Sequence, residues 1–193
     1  MTFHEIRKKI SSLEKYFLGK TDAGPRPDTP ARAVVERGLR CRVHSPDGKS
    51  IFTDMSASLG GLATANSLGW LSRAAIASCD ATLLAIRAAY QGIELDSIEV
   101  NVYASSDGRG MILDESILPG SSEIRVLFNI GARKASAEQV RELVDWVVTH
   151  SPVGADISRA VDLRVEIAGT VKEFRSEQNG VSVDRCGQFA VGN

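Results

Sequence analysis

The chain has 193 residues, of which 43% are hydrophobic and 24% are charged, a composition typical of one globular domain with a substantial core. Its formal net charge of -1 at pH 7 provides no basic excess, so binding to nucleic acid or to an anionic membrane surface is disfavoured. No apolar run is long enough for a membrane span, and the charged N-terminus lacks the pattern of a secretory signal. We therefore predict a cytoplasmic protein.

The first thirty residues are predicted to lie outside the main domain. Residues 3–18 repeat apolar side chains at close to helical spacing, which predicts a short amphipathic helix. The following segment GKTDAGPRPDTP contains three prolines and two glycines and is typical of a linker. We accordingly divide the chain into an N-terminal helix and linker at 1–30, a main domain at 31–168 and a C-terminal extension at 169–193.

The main domain is predicted to begin with two strands. Two β-prone runs lie on either side of Pro46-Asp47-Gly48, a pattern that predicts a β-hairpin. One face of the first strand then carries the alternate residues from 33 to 43, which include Arg37 and Cys41, unless a bulge at Gly38 changes the register.

The longest helix is predicted from about Leu68 to Tyr90, after a glycine-rich connection and with Gly92 at its C-terminal stop. It is apolar on nearly every face, which is typical of a central, buried helix. Its charged residues recur every seven positions and form one polar stripe, for which ion pairs are the simplest role. The members of this stripe are Arg73, Asp80 and Arg87.

The remaining pattern predicts three strands, in IELDSIEVNVYAS, EIRVLFNIGA and AVDLRVEIAG, and one more helix. That helix begins at a capping box formed by Ser136 and Gln139 and ends before Pro152. Asn179-Gly180, between two alternating runs, predicts a β-hairpin in the C-terminal extension. Together these elements predict an α+β fold.

Several motifs resemble those of the OsmC/Ohr family of osmotically induced and organic-hydroperoxide-resistance proteins. They are the pair Gly60-Gly61, the AxxSC pattern that ends at Cys79, the strand GIELDSIEVNV and the SPV at 151–153. The resemblance implies the OsmC-like fold, in which antiparallel sheets surround a long buried central helix. It also implies an intertwined homodimer with two equivalent sites at the subunit interface.

The resemblance further implies a set of site residues. In peroxidase members, the helix cysteine attacks a hydroperoxide, an arginine of the first strand region holds it as a thiolate, and a second cysteine captures the sulfenic acid. Cys79 matches the attacking cysteine, and Arg37 matches the arginine, with Arg40 as the alternative. Ser151 stands where the family has its resolving cysteine, and Gly69 stands where the family has a glutamate that orients the arginine. A hydroxyl cannot form a disulfide, so the matched site is incomplete.

The resemblance therefore suggests a cysteine-dependent reductase of organic hydroperoxides with a one-cysteine site, in which an external thiol reduces the Cys79 sulfenic acid. The alternative is a non-enzymatic protein of the same fold, either a structural dimer or a binder of a small apolar ligand. In the binder, Trp70, Leu71 and Ile76 would supply an apolar wall. Cysteine is among the most frequently buried residue types, so a further alternative is that Cys79 only packs in the protein interior.

Neither a cofactor nor a metal ion is predicted. The three cysteines, Cys41, Cys79 and Cys186, lie far apart and contain no C-x-x-C pair, which argues against a zinc site and a disulfide scaffold. His4 and His44 lack the spacing of metal ligands.

Overall fold

The computed structural model describes residues 3–20, 24–112, 116–159, 165–166 and 188–189. It divides into two compact units, residues 1–155 and 156–193. In the second unit, β6 (Val165–Glu166) pairs antiparallel with β7 (Gln188–Phe189). The hairpin predicted at Asn179-Gly180 lies outside the described residues, and the predicted boundaries at 31, 168 and 169 stay predictions.

The remaining elements alternate helices with antiparallel strands, which confirms the predicted α+β class. The helices are α1 (Phe3–Leu18), α2 (Leu68–Gln91), α3 (Arg109–Ile112), α4 (Ala137–His150) and α5 (Pro152–Ser158). The strands are β1 (Arg32–Arg37), β2 (Arg40–His44), β3 (Ser50–Thr53), β4 (Ser97–Ser106) and β5 (Ser121–Gly131). Strands β1, β2 and β3 form one sheet in that order, and β4 pairs with β5 in a second sheet.

The first sheet differs from its prediction at one point. The β2–β3 hairpin around Pro46-Asp47-Gly48 is confirmed, but the segment 33–43 is two strands rather than one. Gly38, at φ +58°, occupies the left-handed region that glycine adopts without steric cost, and it turns the chain between β1 and β2.

A register shift between Val35 and Arg37 accompanies this turn. Val35 therefore lies opposite Cys41, whereas Arg37 lies opposite Arg40. Cross-strand partners share a face and consecutive residues alternate, so Arg37 and Cys41 lie on opposite faces of the sheet. The expectation that they share a face is wrong, because the bulge adds one residue to β1.

Helix α2 has the predicted ends. The Ser67 hydroxyl accepts a hydrogen bond from the Trp70 N–H at 3.3 Å, which caps the N-terminus. Gly92, at φ +75°, ends the helix, and its N–H bonds back to the carbonyl of Ala89 at 3.2 Å. Both caps satisfy backbone groups that the helix itself leaves unpaired.

The core of the first unit lies where α2 packs against α4 and the β4–β5 sheet. Its fully buried members are Leu84 and Ala88 of α2 and Leu143 and Val147 of α4. Phe3 of α1 also contacts this cluster, and α1 packs along α2. The N-terminal helix is thus part of the first unit.

One side of α2 stays open in the single chain. Its buried residues are Ile76, Asp80, Leu84, Ala88 and Ala89. On one side of the helix, Leu68, Ile86 and Tyr90 are each exposed. None of the helices in the described ranges is both long and apolar enough to cross a membrane.

Candidate functional site

Cys79 lies in the middle of α2, and its side chain is half-buried. The hydroxyl of Ser151, 72 residues further along the chain, donates a hydrogen bond to its sulfur at an Oγ–Sγ distance of 3.5 Å. Ser151 is only 3% exposed. The structure therefore brings together two of the three residues that the sequence singles out.

Ser151 is fixed at the junction of α4 and α5. Its N–H donates to the carbonyl of Val147 at 2.8 Å, and its own carbonyl accepts from the N–H of Ala155 at 2.8 Å. Its Oγ also accepts a hydrogen bond from the N–H of Gly154 at 3.2 Å. Gly154 was not among the predicted site residues. The SPVG segment carries a usable signal, since serine before a short helix commonly caps it.

The two candidate arginines have different surroundings. Arg37 is exposed at the end of β1, and no hydrogen bond or ion pair of its side chain is found within the described ranges. Arg40, directly opposite, donates from its guanidinium to the Thr64 hydroxyl at 2.6 Å and lies 4.3 Å from the centre of the Phe52 ring. In the described part of the chain, neither arginine hydrogen-bonds to Cys79.

Arg40 is held through a buried carboxylate. The Thr64 hydroxyl, which accepts from Arg40, donates to Asp54 at 2.7 Å, so these three side chains form a continuous hydrogen-bonded series, the Asp54–Thr64–Arg40 chain. Asp54 is 2% exposed and also accepts from the backbone N–H groups of Met55, Leu62 and Thr64. The hydrogen bonds from the Thr64 N–H and hydroxyl are the main reason that the pKa of Asp54 lies below its usual value, so the carboxylate is ionised at neutral pH.

The glycine pair closes the loop that surrounds Asp54. Gly60 lies at φ +83°, and a side chain at Gly61 would place its Cβ 2.0 Å from the carbonyl oxygen of Met55. In the sequence this pair contributes only to the family resemblance, and Asp54 and Thr64 were not predicted as site residues. An aspartate before a glycine-rich loop is a usable signal, since its carboxylate commonly accepts from nearby loop N–H groups.

The polar stripe of α2 does not make the expected ion pairs among the described residues. The Arg87 guanidinium lies over the rings of Trp146 and Tyr90, at 4.5 and 5.5 Å from their centres. Asp80 is 5% exposed, and one of its carboxylate oxygens has no hydrogen-bond partner in the described ranges. Arg73 lies beside Gly69, where a Cβ would be 3.5 Å from its guanidinium.

The side chains proposed for an apolar ligand wall are not equivalent. Ile76 is buried in the single chain, whereas Trp70 is about half exposed. No cluster of histidine, cysteine and carboxylate side chains suited to a metal ion occurs among the described residues.

Comparison with known proteins identifies the family. Residues 70–166 match the family described as OsmC-like protein, which is half of the chain and includes both Cys79 and Ser151. The chain belongs to the OsmC-like protein family. No match was found among curated protein sequences.

Solved structures of similar fold come from several bacteria. An OsmC-like protein from Mycoplasma pneumoniae is 16% identical, with 69% of this chain and 89% of that chain covered and a TM-score of 0.59. An organic hydroperoxide resistance protein OsmC from Legionella pneumophila is 20% identical, with 69% and 91% covered and a TM-score of 0.52. An OsmC-like protein of unknown function from Vibrio cholerae is 13% identical, with 67% and 92% covered and a TM-score of 0.53. These likenesses confirm the OsmC-like fold.

Proposed function

We propose that this OsmC-like protein reduces organic hydroperoxides through a one-cysteine site at Cys79. Family membership supports a function related to peroxide stress, and the similar Legionella pneumophila protein is described as an organic hydroperoxide resistance protein. The observation that carries the proposal is the 3.5 Å contact between the Cys79 sulfur and the buried Ser151 hydroxyl. A hydroxyl donor is suited to a sulfur that becomes anionic, because hydrogen bonds to ionised acceptors are the stronger ones.

The proposed cycle has three steps. The Cys79 thiolate attacks the distal oxygen of the hydroperoxide, an S–O bond forms as the O–O bond breaks, and the departing alkoxide takes a proton to become the alcohol. Sulfur is oxidised by two electrons to sulfenic acid. An external thiol then forms a mixed disulfide with Cys79 and releases water, and a second thiol returns Cys79 to its reduced form.

The need for an external reductant follows from the presence of serine at residue 151. Serine has no thiol, so an intramolecular disulfide with this position cannot form, and a small thiol of the predicted cytoplasmic environment takes its place. The cation that holds the thiolate is proposed to be Arg37, as the resemblance implies, or Arg40. The hydrogen bond between Arg40 and Thr64 favours Arg40, because a fixed guanidinium stabilises an anion without first losing conformational freedom.

Cys79→Ser is expected to abolish hydroperoxide consumption, because an alcohol does not displace the peroxide oxygen at neutral pH. The measurement is consumption of an organic hydroperoxide in the presence of a dithiol, together with trapping of sulfenic acid and mapping of the labelled peptide. Cys41→Ser is the matched control, since Cys41 is also a free, half-buried thiol, and it should keep the activity. Wild-type Cys79 that stays unlabelled and inactive would refute the reductase and leave the non-enzymatic ligand binder as the leading function.

We also propose that the protein is a homodimer. The first sheet supports this, because one of its faces carries Val35, Cys41 and Ile51, and Val35 is 65% exposed in the single chain. The open side of α2, which includes Leu68 and Ile86, supports it as well. Soluble proteins seldom leave apolar surfaces of this kind uncovered, and a second copy would bury both.

Val35→Glu is expected to dissociate the dimer, because the substitution places a charge on the apolar face of β1 that the partner would cover. Val34→Glu is the matched control, since Val34 lies opposite Arg42 on the other face of the same strand. Sedimentation velocity at micromolar concentration should show a dimer for the wild type and the control and a smaller species for Val35→Glu. A folded wild-type monomer under these conditions would contradict the proposal.

A further inference from the structure

We infer that Ser151 is a catalytic hydrogen-bond donor whose hydroxyl, oriented by the N–H of Gly154, stabilises the ionised sulfur of Cys79. The role in peroxide reduction rests on the proposed function, but the effect on the sulfur does not require a peroxide. At the position where the matched family pattern has a second reacting thiol, this chain therefore has a group that binds the sulfur without reacting with it.

The direction of the Ser151 hydroxyl follows from its partners. A hydroxyl has one hydrogen to donate and two lone pairs that accept. The N–H of Gly154 approaches Oγ at 3.2 Å and occupies one lone pair, and the sulfur of Cys79 lies 3.5 Å from the same oxygen. A sulfur acceptor therefore receives the hydroxyl hydrogen, and the donated bond from Gly154 polarises the O–H group toward it.

The position of the hydroxyl is also fixed. The backbone of Ser151 is held on both sides by 2.8 Å hydrogen bonds, to the carbonyl of Val147 and from the N–H of Ala155. Its side chain is almost fully buried, so little water competes for the sulfur. A donor that is already oriented stabilises an anion without paying the cost of reorganisation during the reaction.

Gly154 positions this donor. A Cβ at residue 154 would lie 3.2 Å from both Cβ and Oγ of Ser151, tighter than most contacts of real side chains. Any residue larger than glycine would press on the hydroxyl while leaving both reacting groups chemically intact. Gly154→Ala thus tests the geometry separately from the chemistry.

The presence of a hydroxyl at residue 151 also determines which group reacts with the oxidised form of Cys79. Attack on a hydroperoxide leaves Cys79 as a sulfenic acid, with the peroxide oxygen bonded to sulfur and the alcohol released. The serine oxygen does not attack that sulfur, so the next bond to form is to the sulfur of an external thiol, with loss of water. The neighbouring hydroxyl stabilises the thiolate for the first attack and leaves the sulfenic acid open to a second molecule.

The experiment measures the rate at which iodoacetamide alkylates Cys79 in the full chain as a function of pH, with the modified peptide identified by mass spectrometry. The variants are Ser151→Ala, which removes the donor, Ser151→Thr, which keeps a hydroxyl, and Gly154→Ala. For Ser151→Ala, we expect a rate at neutral pH that is lower by about tenfold, as for loss of a hydrogen bond to a charged group. We also expect its pH profile to move to higher pH, with a plateau that rises by a smaller factor because a more basic thiolate is also a better nucleophile.

The pH profile separates this role from a structural one. Greater exposure of the sulfur would raise the rate at every pH, whereas loss of the donor lowers the rate at neutral pH and moves the rise of the profile to higher pH. Ser151→Thr should stay closer to the wild-type profile than Ser151→Ala does. A folded Ser151→Ala with the wild-type rate and profile would overturn the inference.

Gly154→Ala keeps the test decisive if Ser151→Ala does not fold. Its profile should move in the same direction, and an unchanged profile in the folded protein would overturn the inference. Peroxide consumption is measured in parallel, because a shifted alkylation profile without peroxide consumption refutes the proposed reductase while supporting the donor role of Ser151.

Discussion

Ser151→Cys is expected to change the end product of Cys79 oxidation from a sulfenic acid to an intramolecular disulfide. The serine oxygen lies 3.5 Å from the Cys79 sulfur, so side-chain rotation must bring a sulfur atom in its place about 1.5 Å closer to form the bond. The introduced thiol would attack the sulfenic acid and release water faster than an external thiol can diffuse to it. The resulting bridge closes a loop of 72 residues, for which chain-entropy estimates give about 4 kcal/mol of stabilisation.

Two measurements check this outcome. After one equivalent of an organic hydroperoxide, peptide mapping should find residues 79 and 151 linked in Ser151→Cys, and sulfenic-acid trapping should fall relative to the wild type. The unfolding transition of the oxidised variant should move to higher denaturant concentration and return on reduction. Ser151→Ala is the control and should form no bridge. A trappable sulfenic acid that persists in Ser151→Cys would contradict the prediction.

Gly61→Ala is expected to destabilise the first unit severely. The added Cβ would lie 2.0 Å from the carbonyl oxygen of Met55 and 2.4 Å from its carbonyl carbon, and backbone atoms cannot rotate away as a flexible side chain can. That carbonyl also accepts the N–H of Ala63 at 3.1 Å, so its displacement disturbs the loop that surrounds Asp54. We expect a loss of at least about 3 kcal/mol in the free energy of unfolding, in the range reached when a close-packed position is overfilled.

Denaturant unfolding followed by circular dichroism measures this loss. Gly108→Ala is the matched control, because a Cβ there meets no atom within 4 Å and its φ is not positive. The control should stay within about 0.5 kcal/mol of the wild type, as most surface substitutions do. Equal stability of Gly61→Ala and the control would mean that the loop relaxes freely around Met55.

Local signals in the sequence account for the elements that were predicted well. The capping box of Ser136 and Gln139 is present at the start of α4, and Gly92 ends α2 in the left-handed conformation. Each of these signals depends on residues within one helical turn, so no knowledge of the rest of the chain is needed. The hairpin at Gly38 was missed because a glycine within an alternating pattern fits a bulge as well as a turn.

The contacts of the candidate site could not be predicted from local sequence patterns. Nothing in the spacing of Cys79 and Ser151, which are 72 residues apart, indicates a contact, and only the family resemblance paired them. The role of Gly154 depends on an oxygen at residue 151 that points toward a third residue, and periodicity carries no such information. The bond between Arg40 and Thr64 likewise depends on how the loop after β3 closes.

The Asp54–Thr64–Arg40 chain has a consequence for sequence variation. Its middle hydroxyl has a single hydrogen, which goes to Asp54, so the arginine depends on a lone pair of the same oxygen. An apolar residue at 64 would leave a buried carboxylate short of one donor, and Arg40 would lose this acceptor but keep its ion pair with Glu36 at 3.9 Å. The two losses would not be independent. Substitutions at 40, 54 and 64 should therefore be epistatic, and relatives that replace Thr64 should differ at residue 40 or 54 as well.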